Sequence, residues 1–278
     1  MKKSFWIYLI VFLIIISTAL ISCGGGGGGG PVSMDISGTA SSTPSSSGTT
    51  TIAPVEIDAS QLSQYLAEQE PNTPATSFYI KVTGLTTDNY TTIKPALTAN
   101  RDKYVDLSTT ILPSGITNLE TCFYDCTTLT KAPVIPNGVT NMERCFDDCS
   151  SLIQAPVIPN TVTNMHMCFD ECSSLVQAPV IPNSVTNIKR CFYDCTSLTQ
   201  VPDIPDSVTN MYECFKNCSS LVHAPAISNN VTDIRGCFSG CSSLTQAPVI
   251  PNGLTHMESC FSYCTSLTQA PAIPASVT

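Results

Sequence analysis

Residues 149–172 read Cys149-Ser150-Ser151-Leu152-Ile153-Gln154-Ala155-Pro156-Val157-Ile158-Pro159-Asn160-Thr161-Val162-Thr163-Asn164-Met165-His166-Met167-Cys168-Phe169-Asp170-Glu171-Cys172. The C-F-x-x-C that closes this stretch recurs every 23 residues, at Cys122/Cys126, Cys145/Cys149, Cys168/Cys172, Cys191/Cys195, Cys214/Cys218, Cys237/Cys241 and Cys260/Cys264. These pairs use fourteen of the fifteen cysteines, and a phenylalanine follows the first of each pair without exception, from Phe123 to Phe261. A fixed period in the twenties marks a solenoid, in which each unit buries its apolar face only by stacking on its neighbours. Within the unit, Leu152, Ala155, Val157 or Ile158, Val162, Met165, Cys168 and Phe169 follow neither a helical nor a strand period throughout. The unit therefore reads as one coil that turns several times around a core.

Residues 152–158 predict one strand per coil, stacked into a parallel sheet at about 4.8 Å per coil. Pro-Asn turns the corner, residues 162–165 make a second short extended piece, and residues 166–171 form one turn of helix or 3₁₀. The proline at Pro156, and at Pro133, Pro179, Pro202, Pro225, Pro248 and Pro271, has no N–H to give a ladder. It predicts a strand of about three residues, on one side of the proline.

Ahead of the repeats, order begins near Glu56. Asp58 or Ser60 is placed to cap a helix carrying Leu62, Tyr65 and Leu66 on one face. Residues 78–82 read as a strand, Asp88 or Asn89 starts a helix with Ile93, Ala96 and Leu97 inward, and residues 104–107 read as the next strand. Pro95 is tolerable only in the first turn of that helix. Strand, helix, strand predicts a parallel crossover, and residues 56–104 stand where a solenoid needs a cap. Residues 105–278 are the solenoid, ending in mid-repeat at Val277-Thr278, which implies a fragment or an end covered by self-association.

The first residues, Met1-Lys2-Lys3 and an apolar run to Ile21, have the layout of a secretory signal. Leu20-Ile21-Ser22-Cys23 resembles a lipobox, which implies a signal peptide over 1–22 and acyl chains on Cys23. Each chain contributes about 0.8 kcal/mol per buried methylene, so several make a lasting membrane anchor. Residues 23–55, opening on Gly24 to Gly30 and rich in Ser, Thr and Pro, are too poor in large apolar residues to fold and read as a tether. Removing residues 1–22 takes the net charge from −9 to about −11. Such a chain has no electrostatic footprint for nucleic acid, and anionic lipid repels it, so the lipid must hold it to the membrane.

The unit C-x-x-L-x-x-[AV]-P-x-I-P-x-x-V-T-x-[MI]-x-x-C-F-x-x-C resembles the BspA-like, or treponemal-type, leucine-rich repeat of bacterial surface proteins. The family's Ala before Phe is here Cys, and the proline is an extra residue in the strand, balanced by one fewer before Cys-Phe. The resemblance implies an α/β leucine-rich-repeat solenoid exported to the bacterial envelope, as a surface-exposed lipoprotein of the outer membrane. It implies binding to a protein ligand, such as host matrix or another cell's surface, and no enzyme activity, since the family shares no catalytic residues. The alternative is an envelope or surface-coat scaffold with no specific ligand. The chain itself carries no phosphate loop, no nucleophile–His–acid set and no zinc signature.

Several columns remain as candidate chemistry. The paired cysteines allow one disulfide per repeat, two ladders of buried thiols, or cross-repeat bridges or metal. Asp125, Asp148, Glu171 and Asp194 form a column of carboxylates, with Asp147 and Asp170 beside it. This is a solvated acidic edge or a structural Ca²⁺ site bridging coils, the one cofactor the sequence suggests. The threonines from Thr117 to Thr278 read as a structural hydroxyl ladder. The outward column Lys131, Gln154, Gln177, Gln200, His223, Gln246 and Gln269 offers a nearly uncharged hydrogen-bonding face for a ligand.

Overall fold

A computed structural model of the chain describes residues 52–277. Strands β1 (Val55–Asp58), β2 (Phe78–Thr83), β3 (Val105–Asp106) and β4 (Leu129–Lys131) form one parallel sheet in chain order. Helix α1 (Leu62–Ala67) connects β1 to β2, and α2 (Ile93–Ala99) connects β2 to β3. The parallel crossover and the inward Ile93, Ala96 and Leu97 are as the sequence predicts, with Pro95 in the first turn of α2. The signal, Cys23 and the tether lie outside the described residues, apart from the end of the tether, where Val55 already stands in β1. That strand is new to the structure. It makes the cap two further coils of the same stack, closed by helices instead of tight turns.

The expected capping of α1 is not what forms. Its N-cap is Gln61, which makes no side-chain cap bond. Asp58 instead folds its carboxylate over Ser60, accepting from the amide at 2.9 Å and from the hydroxyl at 2.6 Å. The same carboxylate fills the space over Gly84, at φ +68°, where an added Cβ would meet Oδ2 at 2.3 Å. A side chain at this position would have to displace the Asp58 carboxylate and hold a left-handed backbone.

Beyond β4 the parallel sheet shrinks to single-residue bridges such as Lys131 to Gln154, Gln177 to Gln200 and His223 to Gln246. From Pro156 onward the pairing lies on the N-terminal side of the proline, which cannot donate, and Val157 follows with no ladder partner; in the first repeat Val134, after Pro133, still bridges to Ile111. Cohesion comes from the opposite side of the coil. Met142, Arg144, Phe146 and Asp148 donate to Asn164, His166, Cys168 and Asp170 of the next coil at 2.8–2.9 Å. Between them Cys145, Asp147 and Cys149 donate three residues back within their own coil, and Glu143 donates to the Asn141 side chain. Every amide from Met142 to Cys149 is thereby paired, so the turn is the true ladder of this solenoid.

The geometry demands two left-handed residues per coil, which is why residues 166–171 form successive tight turns and not a helix. Among the described residues twelve non-glycine residues have φ between +49° and +63°, each directly before the first or the second cysteine of a pair. Inside these turns the phenylalanines form a column, with ring centroids 5.3–5.7 Å apart and planes within 11° from Phe123 to Phe261. Stacked aromatic pairs add about 0.5–1.5 kcal/mol each to the burial of the rings.

A second column escaped the sequence reading. Asn141, Asn164 and Asn187 each donate from Nδ2 to Oδ1 of the asparagine one coil earlier at 2.9–3.0 Å. Each Oδ1 also accepts the amide two residues on. The threonine ladder resolves as expected, with Thr140, Thr163 and Thr186 donating hydroxyl and amide to the carbonyl of the preceding threonine.

Candidate functional site

The cysteines stand as free buried thiols at all fourteen described positions. From Cys149 onward the second sulfur of each pair donates to the phenylalanine carbonyl one coil back, as Cys149 to Phe123, Cys172 to Phe146 and Cys195 to Phe169 at 3.0–3.1 Å. No Cys122-Cys126, Cys145-Cys149, Cys168-Cys172, Cys191-Cys195, Cys214-Cys218, Cys237-Cys241 or Cys260-Cys264 bridge is present. The thiol serves as a small apolar core residue with one weak donor. Burial pushes Cys122, Cys126 and Cys260 up to about 12, the direction that keeps a thiol protonated at neutral pH.

The carboxylate column resolves backbone by backbone. Asp125, Asp148, Glu171 and Asp194 all occupy the left-handed position before the second cysteine, and Asn217, Gly240 and Tyr263 continue it. Asp, Asn and Gly tolerate that conformation best, so the column's acidity follows in large part from turn geometry. Among the described residues no three His, Cys, Asp or Glu side chains come together to hold a metal ion. Asp125 is engaged by Arg101 of the cap, Nη1 to Oδ1 at 2.9 Å, and this pairing holds its carboxyl below the usual range. Asp148 and Glu171 are pushed up, first by burial and then by neighbouring carboxylates.

The opposite, strand side is different in character. Gln154 and Gln177 project outward, and beside them two adjoining clefts of about 490 and 730 Å³ open between successive coils. Both clefts are bounded by Gln154, Ala155, Pro156 and Val157. They open where bonding from coil to coil thins: Pro133, Pro156 and Pro179 have no N–H to give, while Val134 still donates to Thr110 and Ala178 to Gln200. Val157 is 88% and Val180 76% exposed, and Val134, Ile153 and Val176 widen the apolar patch. Together these side chains make an exposed apolar patch on the strand side. Its one cation, Lys131, is spent on Asp106 at 2.9 Å. Asp203 takes the valine's place one coil beyond Val180 and ends the apolar run. The glutamine column was legible in the sequence. The prolines and valines beside it belong to the same uncharged face, and of the two candidates for the core position Ile158 is buried and Val157 exposed.

A family model of the BspA type leucine rich repeat region matches in six copies, over residues 100–222 and 166–278. The chain belongs to that family of leucine-rich-repeat scaffolds, whose domains mediate protein–protein interaction. It is similar in structure to a leucine-rich-repeat protein of T. pallidum, at 26% identity over 59% of this chain and 77% of that one, TM-score 0.50. It also shares its fold with a leucine-rich-repeat protein from Bacteroides ovatus, at 22% identity over 74% of this chain and 48% of that one, TM-score 0.51. A comparison with curated proteins found no match.

Proposed function

We propose that this chain is a lipid-anchored surface protein whose repeat domain binds an extended, uncharged segment of a partner protein along the clefts between Val134 and Val180. The paired clefts carry this reading: they join exposed valines and prolines to the amide side chains of Gln154 and Gln177, with no unspent charge. An uncharged partner loses least on entering such a face, since a charge there would be desolvated without a counter-ion. The glutamines supply donors and acceptors for a partner's backbone. Anchoring rests on Cys23 and the tether of residues 23–55, which would hold the domain away from the membrane. Among the described residues no helix is long and apolar enough to cross a membrane. Adhesion to host matrix or to neighbouring cells is the role such an anchored face would serve.

The test is to pan a phage-displayed random peptide library against the whole chain. Enrichment of uncharged, apolar peptides that compete with one another is expected. Enrichment of acidic or basic peptides, or of none, would overturn the assignment of the face. Metabolic labelling with a palmitate analogue, on the chain and on Cys23→Ala, tests the anchor separately: label on the former alone is expected, and label on neither refutes it.

A further inference from the structure

Asp170 is the anomaly of the stack. It is 1% exposed, and neither carboxylate oxygen has a hydrogen-bond partner. The cause lies in the repeat. Three residues before the site, the left-handed position can supply a counter-ion from the same turn: Arg144 Nε reaches Asp147 at 2.7 Å, and Lys216 Nζ reaches Glu213 at 2.7 Å. In the coil of Asp170 that position is Met167. The carboxylate is left to Arg190 of the next coil, whose Nη2 stands 3.2 Å away without hydrogen-bond geometry. Arg190 is held there by stacking over Tyr193, 4.1 Å from the ring centroid, and its buried Nε is itself unpartnered.

Every other charge near this carboxylate is of its own sign or already engaged. Asp147 approaches from the preceding coil, Glu171 from its own and Asp194 from the next. Arg144 faces it from the preceding coil but is bonded to Asp147. Cys195, the thiol that feels the Asp170 charge, is pushed up by burial, as are the neighbouring Cys168 and Cys172.

We propose that the turn carrying Asp170 is a proton-controlled joint in the solenoid, closed when the carboxyl holds its proton and loosened when it does not. Burial, more than the neighbouring carboxylates, pushes Asp170 up to about 7, against an ordinary value of 3.8. The folded turn therefore holds a proton that the opened turn releases, and the closed form weakens as pH rises from about 4 to 7. Past pH 7 the charge is buried against one guanidinium, at 3.2 Å and without a hydrogen bond to it, and opening the turn hydrates it. Only this coil combines a buried acid with a methionine in place of the arginine, so the effect is local. A one-dimensional stack, in which each coil touches only its neighbours, can loosen at one coil while the rest holds.

The experiment is hydrogen exchange of the whole chain at pH 6 and pH 8, read as protection factors for residues 166–174, with the turn at 212–218 as internal reference. Protection of 166–174 should fall about tenfold over that interval, the ratio expected for a group titrating near 7 when closed and near 4 when open. It should not fall in Asp170→Asn, nor in Met167→Arg, which supplies the counter-ion that the coil lacks. Unchanged protection in the parent chain overturns the joint. So does a tenfold fall that persists in both variants.

Discussion

Truncation of Phe169 is the sharpest probe of what holds the coils together. Its ring is fully buried and lies 5.5 Å from Phe146 and 5.6 Å from Phe192, with planes 7° and 3° apart. Replacing a buried phenylalanine by alanine costs about 3–5 kcal/mol. Two lost stacked neighbours add about 0.5–1.5 kcal/mol each, partly through the same atoms, so Phe169→Ala should cost about 4–6 kcal/mol. Phe261 is only half-buried and has one stacked neighbour among the described residues, Phe238 at 5.7 Å. Phe261→Ala should therefore cost about 2 kcal/mol or less. Urea unfolding followed by circular dichroism measures both, since the single tryptophan, Trp6, lies outside the repeats. If Phe169→Ala leaves too little folded protein, Phe169→Leu should still show a loss larger than Phe261→Leu. Equal losses at the two positions, or a loss below about 1 kcal/mol at Phe169, would refute the column as a continuous core.

Asn164 makes four side-chain bonds, to Asn141, Glu143, His166 and Asn187, and Asn164→Ala should cost about 1–3 kcal/mol in the same assay. Tyr263 is 81% exposed at φ +61°, so Tyr263→Gly should be neutral or stabilising by up to about 1 kcal/mol, whereas Gly84→Ala should destabilise. Alkylation without reductant, followed by mass spectrometry, should label few thiols in the folded chain and all fourteen repeat cysteines in denaturant. Loss of label in pairs under denaturant would instead reveal disulfides.

Much of this architecture was open to reading because repetition multiplies every signal. Seven copies of Cys-Phe-x-x-Cys mark a buried column whatever its local geometry. The strand Phe78–Thr83 and the helix Ile93–Ala99 declare themselves by residue type and spacing. What stayed hidden depends on backbone direction. The left-handed turns make an acidic column look like a ligand set, because Asp and Glu recur where the backbone turns, as Asn and Gly do later in the same column. The Asn141–Asn164–Asn187 ladder hides as ordinary turn residues until the coils are stacked. Val55–Asp58 hides because Pro54 and the polar tether lead straight into it. The clefts hide because they lie between successive coils and take shape only once Ala155-Pro156-Val157 is stacked on its neighbours. Asp170 could be found only by noticing which coil has methionine where Arg144 and Arg190 stand.

The account places recognition on the uncharged clefts, and one paired titration tests that directly. A peptide selected on the whole chain is titrated against the parent, Val157→Asp and Val249→Asp, and affinity is read by calorimetry. Val157 and Val249 are equally exposed, at 88% and 89%, but only Val157 bounds both clefts. Val157→Asp should weaken binding at least about tenfold, about 1.4 kcal/mol, while Val249→Asp leaves it unchanged. Equal affinity for all three chains, or a loss confined to Val249→Asp, would contradict the assignment of the face.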